Sequence, residues 1–140
     1  LAGEIAALGP RLAAHAGSPD FTVIAARLDA ARHALEDASR WAADTWAKNA
    51  PAAAVSATAY LDLLGTVTCG WLLATAALDA ARMLEAGVAS DEARFSPDFL
   101  KAKIMCARFF PDQDLVFAPA LARIVIDGGE AIARAESALV

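Results

Sequence analysis

A chain of 140 residues in which 58% are hydrophobic is long enough for one domain with a real core. Its net charge of −5, with no cluster of Lys or Arg, excludes the basic surface that nucleic acids and anionic membranes select. About a quarter of the residues are Ala, which favours helix but buries little area, so large apolar side chains must gather where helices meet.

The first element is a short helix from about Leu1 to His15, which Pro10 is expected to kink or split. Gly17-Ser18-Pro19 breaks the chain. Ser18-Pro19-Asp20-Phe21 then starts a helix, with Ser as N-cap, Pro in the first turn and Asp against the dipole. The same four residue types recur at Ser96-Pro97-Asp98-Phe99, but the sequences that follow differ, so these are two independent helix starts. The second helix spans about Pro19 to Lys48, with Ile24, Leu28, Ala31, Leu35, Ala38, Ala42 and Trp46 at helical spacing. Arg32 and Glu36, four apart, form a surface pair worth little stability. Asn49-Ala50-Pro51 ends it.

The third helix is expected from about Ala52 to Ala86, with Gly87 as its cap. The sixteen residues from Leu63 to Leu78 carry no charge. They are too few for a bilayer span and are interrupted by Thr66, Thr68 and Thr75, so they predict a central helix covered on several sides. Gly65 and Gly70 each weaken a helix by about 1 kcal/mol relative to Ala, and close approach of a neighbouring helix would explain them. Val88 to Phe95 reads as a polar loop. A fourth helix starts at Pro97, with Phe99, Ile104, Ala107 and Phe110 as its inner stripe. Pro111 predicts a kink, or a restart with Asp112 and Asp114 in a first turn. Leu115 to Ile126 is helical again despite Pro119, Asp127-Gly128-Gly129 ends it, and Glu130 to Val140 forms a short terminal helix or tail. No segment has the alternation of a strand. The fold class is therefore all-α: an up-and-down antiparallel bundle of about four main helices, in one domain over residues 1–140.

The chemistry-bearing residues do not converge. Asp112 and Asp114 lie two apart, on different helix faces, and cannot share a proton. Glu36 and Asp37 form a solvated face. His33 and Glu36 lie on one face, but a metal site needs further inward ligands and none are present. Cys69 and Cys106 sit in apolar helices as expected core thiols, with no CxxC pair, which suits a reducing, cytoplasmic compartment. No phosphate-binding glycine loop and no nucleophile elbow occurs. No catalytic, cofactor-binding or metal-binding residue is assigned. Tyr60, Asp62, Trp71, Lys101, Lys103 and Arg108 stand out as large or charged residues among small ones. Packing of the third helix on the fourth explains them best, with Asp62 paired to Lys103 or Arg108.

Two of these segments together carry a resemblance. Tyr60, Leu61, Leu63, Gly65, Gly70 and Trp71 fit a Tyr-Leu-x-Leu-x-Gly-x-x-x-x-Gly-Trp pattern. Phe99, Leu100, Lys103, Ala107, Arg108, Phe109 and Phe110 fit Phe-Tyr-x-x-Lys-x-x-x-Ala-Arg-Phe-Tyr, with Leu100 and Phe110 in place of Tyr. In this order they resemble the C-terminal extension domain of bacterial acyl-CoA dehydrogenases, over about residues 1 to 130. The resemblance implies a parent enzyme that binds FAD and oxidises an acyl-CoA to the 2,3-enoyl-CoA, using residues in upstream domains. The chain, which begins at Leu1 rather than Met, reads as the piece that follows them. It would pack on the catalytic core, on a homodimer partner or over the acyl end of the substrate site. The alternative is a free-standing helical interaction module with a groove for a partner helix. A small apolar ligand site between helices is a third reading.

Overall fold

The computed structural model describes residues 1–87 and 95–138, and every element in them is helical. The elements are α1 (Ala2–Ala13), α2 (Pro19–Trp46), α3 (Ala50–Val55), α4 (Ala57–Glu85), α5 (Pro97–Gln113), a 3-10 turn (Leu115–Phe117) and α6 (Ala118–Ala138). Residues 88–94 of the expected polar loop lie outside the described residues.

Helix α1 forms because Ile5, Leu8 and Leu12 fall on one side, and all three are buried. Pro10 does not split it: α1 runs on to Ala13, and the Ala14 N–H donates to the Pro10 carbonyl at 3.1 Å. Helix α2 follows the expected stripe as far as Ala38, burying Phe21, Ile24, Leu28, Ala31, Ala34, Leu35 and Ala38, but Ala42 is half-buried and Trp46 is 62% exposed, because the bundle no longer covers the last turns. Three expectations downstream need correction. Asn49 starts a helix as well as ending one: its Oδ1 accepts the Ala52 N–H at 3.1 Å and Pro51 sits in the first turn of α3. The expected third helix is broken at Ser56, whose buried hydroxyl donates to the Val125 carbonyl at 2.7 Å. Gly128-Gly129 does not end α6, because at Gly129 the missing side chain makes room for Trp41: a Cβ there would overlap the indole and lie 3.0 Å from the Ala52 carbonyl.

The expected restart at Pro111 does not occur. Pro111 is buried inside α5, which continues to Gln113, with the Asp114 N–H on the Phe110 carbonyl at 2.9 Å. Asp112 therefore lies in a last turn, and Asp114 precedes the 3-10 turn. Pro119 falls at the start of α6, where its missing N–H costs nothing.

Directions follow from paired landmarks. Leu73 of α4 shares a hollow with Met105 to Phe110 of α5; Gly70 meets Leu115; Ser56 meets Val125; Ala52 and Trp41 meet Gly129. Residue numbers fall along α4 and α3 as they rise along α5 and α6. Helices α5 and α6 thus run in series, antiparallel to α4, with α5 along its C-terminal half and α6 along its N-terminal half. Ser39 of α2 bonds Tyr60 of α4 at 2.8 Å, while at the opposite end Phe21 stacks on His15, which lies 3.6 Å from Glu85. Helix α2 is therefore also antiparallel to α4. The result is the expected up-and-down bundle, its last layer made of two helices end to end.

Candidate interaction face

The core draws on one side of α4, namely Leu63, Val67, Gly70, Ala74, Ala77, Leu78 and Ala81. The other side is open. Leu61, Gly65, Cys69 and Leu72 form an uncharged exposed stripe at helical spacing, and Leu61 is 64% and Leu72 53% exposed. Helix α4 is central as expected, packing against α1, α2, α3, α5 and α6, but this one stripe is left uncovered among the described residues. By length and composition α4 could cross a membrane, yet it packs its other side into the bundle. Gly65 has nothing within 4 Å of where a Cβ would stand, so it accommodates no neighbour inside this chain. At Gly70 the expectation of close approach holds: a Cβ would come within 2.8 Å of the Leu115 methyls.

Helix α5 repeats the pattern. Leu100, Ala107 and Pro111 are its buried residues. Ile104 and Phe110 are half-buried, but Phe99, expected on the inner stripe, is exposed. Lys101, Met105 and Phe109 follow one another at four-residue steps on the outer side, with Met105 70% and Phe109 66% exposed. Met105 and Phe109 stand as a ridge between two open hollows. One, of about 500 Å³, is lined by Leu73, Cys106, Phe110 and Asp114 with the ridge residues. The other, of about 420 Å³, is lined by Asp20, Arg108, Asp112 and Gln113 with the same ridge residues. Both hollows open to the surface.

Of the charged residues singled out in the sequence, Arg108 builds a strut beside this ridge with Asp112, Asp20 and Arg27. Arg108 donates to Asp112 at 2.7 Å and lies 3.6 Å from Asp20, and Arg27 lies 3.5 Å from the same Asp112. The Arg108 hydrogen bond, then the charges of Arg108 and Arg27, hold the Asp112 carboxyl below its ordinary value. The expected pairing of Asp62 with Lys103 or Arg108 is replaced by this strut, and the Lys103 ammonium stands 5.3 Å from the centroid of the Phe99 ring. Tyr60 ties α4 to α2 through Ser39, and Trp71 is half-buried against the core. Cys69 and Cys106 are exposed free thiols, not core residues. Both sit on the outward faces just described, which an apolar pattern alone cannot distinguish from inward ones.

Neither hollow beside the ridge is lined by a cation free of a carboxylate partner. The larger hollow beside the ridge carries one charged residue, the carboxylate of Asp114, which would repel a diphosphate. In the other, the arginine is already neutralised by Asp20 and Asp112. Among the described residues, no three His, Cys, Asp or Glu side chains come together to hold a metal ion.

A family model described as acetyl-CoA dehydrogenase C-terminal like matches residues 1–136. The chain belongs to that family. No curated protein and no solved structure matches it. In this acetyl-CoA dehydrogenase C-terminal-like domain the two motifs are mainly structural: Leu63, Gly70, Leu100 and Ala107 are buried, while Tyr60 and Arg108 bridge to α2. Sequence reasoning missed the outward residues Leu72, Met105 and Phe109. Their signal was present, since Lys101, Met105 and Phe109 share a register opposite Ala107 and Pro111.

Proposed function

We propose that this chain is an accessory, non-catalytic domain of an FAD-dependent acyl-CoA dehydrogenase. Its parent would oxidise an acyl-CoA to the 2,3-enoyl-CoA with flavin and catalytic carboxylate held in other domains. Its own task is to pack on the catalytic core through the open stripe of α4. The observation that carries this reading is the pairing of family membership with an exposed apolar surface. Leu61, Gly65, Cys69 and Leu72 offer an uncharged packing face. Two exposed thiols suit a reducing cytoplasm.

The test is direct. Purified and incubated with FAD and an acyl-CoA, the 140-residue chain is expected to retain no flavin after gel filtration and to transfer no electrons to an artificial acceptor. Retained flavin would sink the proposal. The exposed ridge of Met105 and Phe109 also favours a second reading, a free-standing interaction module. The coding sequence upstream of Leu1 separates the two: a dehydrogenase core there supports the first, and a nearby start codon the second.

A further inference from the structure

We infer that the open stripe of α4 receives an apolar helix of the parent's catalytic core, seated at Gly65, with Lys or Arg side chains on one flank set against Asp62 and Asp114. The inference rests on the accessory-domain reading and adds the chemistry of the surface that α4 meets.

The stripe of Leu61, Gly65, Cys69 and Leu72 extends over three turns, about 16 Å. Gly65 weakens the helix by about 1 kcal/mol relative to Ala, yet nothing lies within 4 Å of where its Cβ would stand. On the buried side, Gly70 shows what such a position is for, because the Leu115 methyls fill the space. At Gly65 the space opens outward, between the exposed Leu61 and Leu72. A second backbone can come close there while its side chains pack on the two leucines. The backbone bonds of α4 are closed within the helix, so no strand can add to it. A helix laid along the stripe, ridges into grooves, fits.

Charge selects among helices. Asp62 and Leu73 are eleven residues, or about three turns, apart and so share one side of α4. Leu73 lines a hollow with Asp114. Two carboxylates thus flank the stripe on the same side, at levels about three turns apart. Neither has an ion pair among the described residues, whereas nearby Asp112 is held by Arg108 and Arg27. The opposite flank of α4, with Leu64, Thr68, Trp71 and Thr75, carries no charge. A partner without cations would cover two carboxylates and leave them uncompensated. A partner with Lys or Arg three turns apart answers both, and their one-sided placement fixes which of its flanks is basic.

Cys69 stands in the stripe as a free thiol and reports its coverage. In the full parent chain, alkylation of Cys69, followed by peptide mass spectrometry, is expected to run at least about tenfold slower than in the isolated 140-residue chain. Gly65→Leu should restore the fast rate in the full chain and leave the helical circular dichroism of the isolated chain unchanged. Asp62→Lys combined with Asp114→Lys should cut the protection by about two- to tenfold. Equal rates in the full and isolated chains overturn the inference, as does protection indifferent to Gly65→Leu or to the double charge reversal. Protection that grows with the concentration of the isolated chain also overturns it, by giving the stripe to a second copy. A start codon close upstream of Leu1 sinks this inference together with the accessory-domain reading. An unprotected Cys69 in a flavin-bearing parent sinks this inference alone.

Discussion

The outward faces of α2 and α5 meet water in opposite ways. On α2, Arg32 bonds Asp29 and Glu36, each at 2.8 Å, and Arg40 bonds Asp37 at 3.0 Å. The Arg32 guanidinium is held above its ordinary value, first by its hydrogen bond to Asp29. That face is finished as a surface. On α5 the corresponding positions hold Met105 and Phe109, and on α4 they hold Leu61 and Leu72. Arg40 and Asp37 are as exposed as Met105 and Phe109, so exposure alone does not mark a functional face. The difference lies in whether polar groups answer one another there, and on α4 and α5 the outward apolar groups have nothing among the described residues to answer them.

Substitutions on the two sides of α4 put this contrast under the greatest strain. Leu63→Ala, on the buried side, is expected to cost about 2–5 kcal/mol in chemical denaturation. Leu72→Gln, on the open side of the same helix, should stay within about 0.5 kcal/mol. A comparable loss at both would mean that the open stripe is really core. The two glycines of the first motif should then move in opposite directions. Gly70→Ala drives a methyl into Leu115 and is expected to destabilise by about 1–3 kcal/mol. Gly65→Ala enters open space and should stabilise by up to about 1 kcal/mol through helix propensity.

The strut gives a smaller, pH-dependent effect. Asp112 has its folded-state carboxyl lowered, chiefly by the Arg108 hydrogen bond, so its stabilising contribution is full above the ordinary carboxylate range. It is lost as pH falls through the lowered value. Thermal melts of wild type and Asp112→Asn should therefore differ at neutral pH and converge in acid. A gap that widened on acidification would contradict the assigned sign. Smallest of all should be Arg32→Gln on the finished face, within about 0.5 kcal/mol by the same melts.

Much of the bundle was legible in the sequence because periodicity reports burial wherever one side of a helix is polar. Helix α2, with Ile24, Leu28, Leu35 and Ala38 inside and Arg32, Asp37 and Arg40 outside, was read nearly to its ends. Helix α4 defeated the same reasoning. Its apolar residues lie on both sides, and periodicity cannot tell a side that faces the core from one that faces out. The break at Ser56 and the passage of α6 through Gly128-Gly129 were hidden for another reason. Both depend on contacts between distant residues: the Val125 carbonyl for Ser56, and the Trp41 ring for Gly129. A local reading saw only residues that favour stopping a helix. The motif residues identified the family, but their roles, with Tyr60 on Ser39 and Arg108 on Asp20, required the fold.

The alanines of the core have a consequence for how such a domain can change over time. Ala31 and Ala38 of α2 and Ala74 and Ala77 of α4 are at most 1% exposed, in one cluster with Leu28 and Val67. Almost any replacement at these positions is larger, and overpacking a close seam costs about 1–3 kcal/mol. Inherited variation is therefore steered outward. Substitutions at the outward Leu61, Leu72, Met105 and Phe109 leave this interior untouched, so their cost falls on whatever those faces meet.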